Sequence, residues 1–238
     1  MHCKPDSGAK RHRVPTRAPA TLAASITALL LAMAATSAHA GDVCEMEGTP
    51  TASTADGLGA VACGVSNDAS GDWSIALGRT NQATGNSATA MGGQNVASGS
   101  NSTAVGQRNA STAFGTTTFG ADNEASASYA TALGYDNLAT FVSATSVGRE
   151  NQALGDSATA MGDRNQAEGV RATAIGAENH AAAEGTTAMG DRNRAEDVHA
   201  TAIGSENHAA AESAIAMGRR NYAPGIGSTA LGNLNSAS

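Results

Sequence analysis

Ala158-Thr159-Ala160-Met161-Gly162, followed by Asp163-Arg164-Asn165, is one clear copy of a unit that the chain repeats from Ala60 almost to its end. The Gly of the unit stands at 64, 78, 92, 106, 120, 134, 148, 162, 176, 190, 204, 218 and 232, each step being 14 residues with no slip. Three residues after every one of them stands an Asn, from Asn67 to Asn235. Self-similarity at a fixed period is the signature of a repeat architecture and governs every local reading.

The residue before each repeat Gly is always apolar: Cys63, Leu77, Met91, Val105, Phe119 and so on to Leu231. Two residues earlier comes Val61, Ile75, a run of Thr from Thr89 to Thr201, then Ile215 and Thr229. The position between them is Ala, except at Thr118 and Ser146. Alternation of period two with β-branched residues argues for a strand. The Ala content favours a helix, but a Gly and an Asn every 14 residues would break one repeatedly.

Gly-x-x-Asn reads as turn chemistry, because Gly reaches positive φ without strain and Asn tolerates the left-handed region. Two residues past the Asn is a small residue, usually Ala, and a second cluster around Gly85, Gly99, Gly155 and Gly169 turns the chain again. One repeat is therefore strand, turn, short strand, turn. The fold class is all-β, a parallel β-roll (solenoid) with 14-residue coils. Thirteen coils stacked about 4.8 Å apart make a rod of roughly 60 Å. Stacking sets each Asn over the last, and ladders of that kind stabilise parallel stacks. The candidate structural positions are Gly78 and Asn81, Gly92 and Asn95, Gly162 and Asn165, Gly176 and Asn179, and Gly204 and Asn207.

Alternation leaves two apolar or small faces, one of Thr and the large residue, the other of Ala and Gly. Parity leaves open which lines the roll and which meets neighbours. A coil with one large apolar side chain has little to bury, so a second face covered by other subunits is expected.

The N-terminal region has a different pattern. Lys10, Arg11, Arg13 and Arg17 precede an uncharged stretch, Thr21 to Ser37, that ends at Ala38-His39-Ala40. Residues 1–40 read as a signal peptide, with 41–59 a non-repeating lead-in or cap and 60–238 the repeat domain. Beyond residue 40 the chain has no Lys and carries nine Arg against twenty Asp plus Glu, a balance of −11. That surface disfavours nucleic acid, whose phosphates are bound by Lys and Arg. Cys44 and Cys63 are the two Cys past residue 40, and in an exported chain they are disulfide candidates; alternatively, Cys63 fills an apolar slot of its coil.

Chemistry-bearing motifs are few. His180 and Glu184, repeated as His208 and Glu212, would share a face of a helix and could hold a metal there, but here they fall in solenoid turns. Asp163, Arg164, Asp191 and Arg192 read as solvated turn charges. No set of nucleophile, base and orienter is recognisable, so neither enzyme activity nor a cofactor is expected.

Ala-Thr-Ala-Met-Gly-x-x-Asn-x-Ala-x-Gly, with variants Ser74-Ile75-Ala76-Leu77-Gly78 and Ser228-Thr229-Ala230-Leu231-Gly232, resembles the head repeat of YadA-like trimeric autotransporter adhesins. That repeat is typically Ser-Val-Ala-Ile-Gly-x-x-Ser-x-Ala; here Asn replaces the second Ser and Thr usually replaces Val. The resemblance implies a left-handed, homotrimeric β-roll on a Gram-negative cell surface. It implies binding of matrix proteins such as collagen or fibronectin, or cell–cell aggregation, with membrane attachment only through a stalk and anchor that this chain does not carry. An alternative is an ice- or surface-binding solenoid, whose Thr ladder would present hydroxyls at regular spacing.

Overall fold

The computed structural model describes residues 41–45 and 52–238. The expected signal peptide lies outside the described residues. Every described element is a strand, and the strands form two parallel sheets, one of 14 strands and one of 11. The long sheet begins with β1 (Asp42–Glu45) and β2 (Val61–Val65), and each later coil adds a five-residue strand such as Thr159–Asp163. The short sheet is built of two-residue strands such as Gln166–Ala167.

Pairing holds the sequence period. Thr159–Asp163 pairs in register with Thr145–Arg149 on one side and Thr173–Ala177 on the other. Gln166–Ala167 likewise lies between Gln152–Ala153 and His180–Ala181. Stacking extends into 41–59: β1 pairs with β2, Asp42 opposite Val61, and Thr54 bridges Asp68. Ser53 sits one period before Asn67 and receives its backbone N–H at 3.1 Å, so the polar ladder starts on a Ser. Cys44 stands opposite Cys63 with their Cα atoms 4.5 Å apart, and the two are joined as a disulfide.

The structure resolves the open parity. Ala158, Ala160 and Ala167 point inward with Asn165, while Met161 points out and remains 41% exposed. The interior is therefore alanine, and its largest fully buried side chains are the asparagines. A two-sheet coil of 14 residues is too flat for Leu or Met inside, which is why the large residue of each copy sits on the outer face of the long sheet. The alanine core divides into two clusters, one ending at Ala104 and the other starting at Ala125. Between them Ser111, Thr116 and Thr118 replace Ala, and their hydroxyls are satisfied locally. The Ser111 and Thr118 oxygens lie 2.9 Å apart, and Thr116 Oγ1 donates to the Ala113 carbonyl at 2.8 Å.

The turn reading needs one correction. The left-handed residue is not the Asn but the one before it, Arg164 with φ 52° in the central copy; a second, Arg171 with φ 57°, lies in the far turn. Neither is Gly, and each conformation costs roughly 1–2 kcal/mol. Ladder bonds hold both: Arg164 N–H donates to the Arg149 carbonyl at 2.9 Å, and Arg171 N–H to the Asp156 carbonyl at 2.8 Å.

Candidate functional site

Each coil has one closed interior and three open surfaces. Inside, Asn165 is fully buried. Its side-chain amide donates to Asn151 Oδ1 at 3.0 Å, the Met161 carbonyl at 2.9 Å and the Gly176 carbonyl at 2.7 Å. Its own Oδ1 accepts the backbone N–H and the side-chain amide of Asn179, at 3.1 and 2.9 Å. The pattern recurs at Asn81, Asn95, Asn179 and Asn207. One side chain thus ties three consecutive coils together and satisfies polar groups that the narrow interior shuts off from water.

Gly162 makes the ladder possible. Its φ is +119°, and a Cβ there would lie 2.0 Å from the Gly176 carbonyl oxygen, the atom that Asn165 bonds. Gly78, Gly92, Gly176 and Gly204 hold φ between +115° and +120° and meet the next coil in the same way. These are building positions rather than ligand positions.

The first open surface is the outer face of the long sheet. Thr, or Ile at 75 and 215, alternates with the large residue along each strand, so successive coils stack Leu77, Met91, Val105, Phe119, Leu133, Val147, Met161, Ile175, Met189, Ile203, Met217 and Leu231. Met91, Phe119, Met161, Met189, Met217 and Leu231 count among the exposed large apolar residues. A continuous apolar stripe of this kind is rarely left exposed on a lone soluble chain.

The second surface is the turn between Gly and Asn. Its charges pair from coil to coil: Arg108 with Asp122 at 2.6 Å, Arg149 with Asp163 at 2.7 Å, and Arg164 with Glu178 at 2.8 Å. Hydrogen bonds from Arg108 and Arg149 hold the Asp122 and Asp163 carboxyls below the ordinary carboxylate value, and Arg220 does the same for Glu206. Solvent-exposed pairs of this kind contribute little each. Asp163, Arg164, Asp191 and Arg192 all lie here, as solvated charges.

The third surface is the far turn, residues 168–171 in the central copy. Large apolar and aromatic side chains gather here, with Trp73, Phe114, Tyr129, Phe141, Val142 and Ile226 exposed along it. The two His–Glu motifs do not close. His180 lies on a short strand and approaches Glu168 at 3.3 Å, while Glu184 meets Arg171. His208 comes within 2.8 Å of Glu196, a close approach rather than an aligned hydrogen bond. Among the described residues no group of three or more His, Cys, Asp or Glu could hold a metal ion.

Sequence reasoning located this second turn but missed the aromatic surface on it, because no motif marks those rings. The usable signal was the composition of the turn as a whole, since Trp73, Phe114, Tyr129 and Phe141 fall at three neighbouring positions of the period in a chain that has few aromatics.

The comparison with curated proteins gives no match. The family model for the YadA head domain repeat matches residues 53–81 and 83–109 and, in overlapping copies, 142–235. Those stretches cover more than half of the sequence and share the register of the stacked Gly and Asn, so the chain belongs to the family of YadA head domain repeats.

Proposed function

We propose that the chain is the ligand-presenting head of a homotrimeric adhesin, exported by residues 1–40 and displayed on the surface of a Gram-negative cell. Membership of the family supports an adhesin-like role at the cell surface, and a β-solenoid of this family is typical of structural adhesins rather than enzymes. The observation that carries the assembly is the outer face of the long sheet. Its apolar ladder runs the length of the stack, and burying it against two other copies removes it from water. The head then binds extended matrix proteins such as collagen or fibronectin, or mediates cell–cell aggregation, by contacts summed over coils and chains.

Sedimentation of the purified protein tests the assembly. A trimer is expected, and Ile175→Asp with Met189→Asp should dissociate it; a folded monomer with a cooperative melt contradicts the proposal. Solid-phase binding to collagen and fibronectin tests the function. Deleting one, two and four 14-residue coils should weaken binding stepwise, whereas complete loss from one turn substitution in an intact trimer would contradict a distributed surface.

A further inference from the structure

The far turns do not share one chemistry. Five consecutive turns, 84–87, 98–101, 112–115, 126–129 and 140–143, contain no charged residue and no His. The turns on either side carry Asp72 and Asp156, and acid, Arg or His recurs in every later turn to residue 213. In a chain of net negative charge, an uncharged strip about 19 Å long is an exception that needs a reason.

The strip also concentrates aromatic rings. Phe114 and Tyr129 lie in adjacent turns with ring centroids 5.4 Å apart and planes at 85°, an edge-on contact that holds the Tyr ring in place. Tyr129 occupies the left-handed position, with φ 62°, and is 60% exposed. Its ring lies against Gly115 of the previous turn, where a Cβ would stand 3.1 Å from the ring. Phe141 and Val142 continue the exposed apolar surface in the next turn. Ser98, Ser100, Asn101, Thr112 and Ser143 lie in the same and neighbouring turns as exposed hydroxyls and an amide.

A bulky aromatic at positive φ is costly, and Ser87, Ser143, Ser157 and Ser213 fill the same position in other coils. The Tyr129 ring packs over Gly115 as Trp73 packs over Gly59 and His199 over Gly185, so the position takes a ring where the previous turn has a Gly, and the outer face of the Tyr129 ring stays open. A fixed, open aromatic face with neutral donors and acceptors in the turns, and with the charge of Glu124 confined to the adjoining short strand, matches one ligand chemistry. Sugar rings present C–H faces that stack on aromatics and hydroxyls that pair with Ser, Thr and Asn. An uncharged strip flanked by carboxylates admits a neutral saccharide and disfavours a sulfated or sialylated one.

We infer that the far-turn strip from residue 84 to residue 143 binds a neutral oligosaccharide, with the Tyr129 ring as the stacking platform, Phe114 as its positioning residue, and the neighbouring Ser, Thr and Asn as hydrogen-bonding partners. The inference rests on the adhesin reading and names a ligand class for it.

Saturation-transfer NMR on the whole protein tests it, with chitotriose, cellotetraose and lacto-N-tetraose as neutral probes and a heparin hexasaccharide as the charged one. Transfer to the ring C–H protons of at least one neutral probe is expected. Phe114→Ser with Tyr129→Ser, which installs residues already resident at both positions, should abolish transfer while the melt is kept. Tyr135→Gln, in the other turn, should leave it unchanged. No transfer to any neutral probe, equal transfer to heparin, or transfer retained in the double variant overturns the inference. A change of oligomeric mass in that variant also overturns it, making the strip a contact between copies. If collagen and fibronectin still bind while the saccharides do not, this inference fails and the adhesin reading stands; if the matrix proteins fail as well, both fall.

Discussion

The coils of residues 84–143 and those of residues 154–213 share one interior and differ in surface. Asn95 and Asn165 make the same bonds to the same three kinds of acceptor, within about 0.1 Å. Outside, the first set carries aromatics and hydroxyls on its far turns, while the second carries Arg171, Glu184, Glu196 and His199. The interior also tolerates a polar interruption in the first set, where Ser111 and Thr118 bond each other. The lesson is that coil geometry is set by a few inward residues, leaving the turns free to differ in chemistry at little structural cost.

The largest break in that equivalence should come from Gly162→Ala. The Cβ would meet the Gly176 carbonyl at 2.0 Å and adopt a φ that L side chains rarely hold. Backbone strain alone is about 1–3 kcal/mol, and displacing the next coil adds to it, so a loss of at least ~3 kcal/mol is expected in denaturant melts. A loss under ~1 kcal/mol would show that the coils can shift apart freely.

A gain should come from Ser102→Ala. The Ser102 hydroxyl is buried and has no partner among the described residues, whereas Ala88 and Ala158 occupy the same phase. Removing an unsatisfied hydroxyl should stabilise by roughly 1 kcal/mol. A lower melting temperature would mean that the hydroxyl is satisfied in solution.

Acidification should separate the two sets of coils more weakly. Hydrogen bonds from Arg149 and Arg220 depress the Asp163 and Glu206 carboxyls in the fold. A depressed carboxyl stabilises the fold above its unfolded value, and that stability disappears as pH falls through the folded value. The ordinary values are 3.8 and 4.5, so stability should decline as pH drops below about 4.5, continuing past 3.8. Asp163→Asn with Glu206→Gln should flatten that decline more than Asp122→Asn in the charge-poor coils. Superimposable acid limbs for the two proteins would contradict this.

Much of the fold was legible from residues alone. The 14-residue step, the alternation before each Gly and the Gly-x-x-Asn turn together specify strands stacked in parallel register. Which face points inward was not legible, because Thr159 and Met161 alternate with Ala160 in a pattern that reads equally well from either side. Space decides it: stacked sheets this narrow accept Ala and one Asn, and Met161 must go out. The left-handed residues were invisible for a related reason. Arg164 and Arg171 hold positive φ because ladder bonds fix the backbone there, so no Gly is needed, the residue type changes from coil to coil and the positions carry no glycine signature. The surface strip around Tyr129 was hidden because a periodic reading averages over the copies that differ.

The buried Asn ladder, rather than the turn charges, is expected to hold each coil to the next. Matched thermal and denaturant melts of Asn165→Ala and Arg164→Ala test it most directly, since the two are sequence neighbours in one turn. Asn165→Ala leaves the Gly176 carbonyl and the Asn179 amide without their partner and should lose about 1–3 kcal/mol. Arg164→Ala removes only exposed ion pairs, those with Glu178 and Asp163, and should change stability by under about 0.5 kcal/mol. Equal losses from the two substitutions would show that the Asn ladder is not what joins the coils.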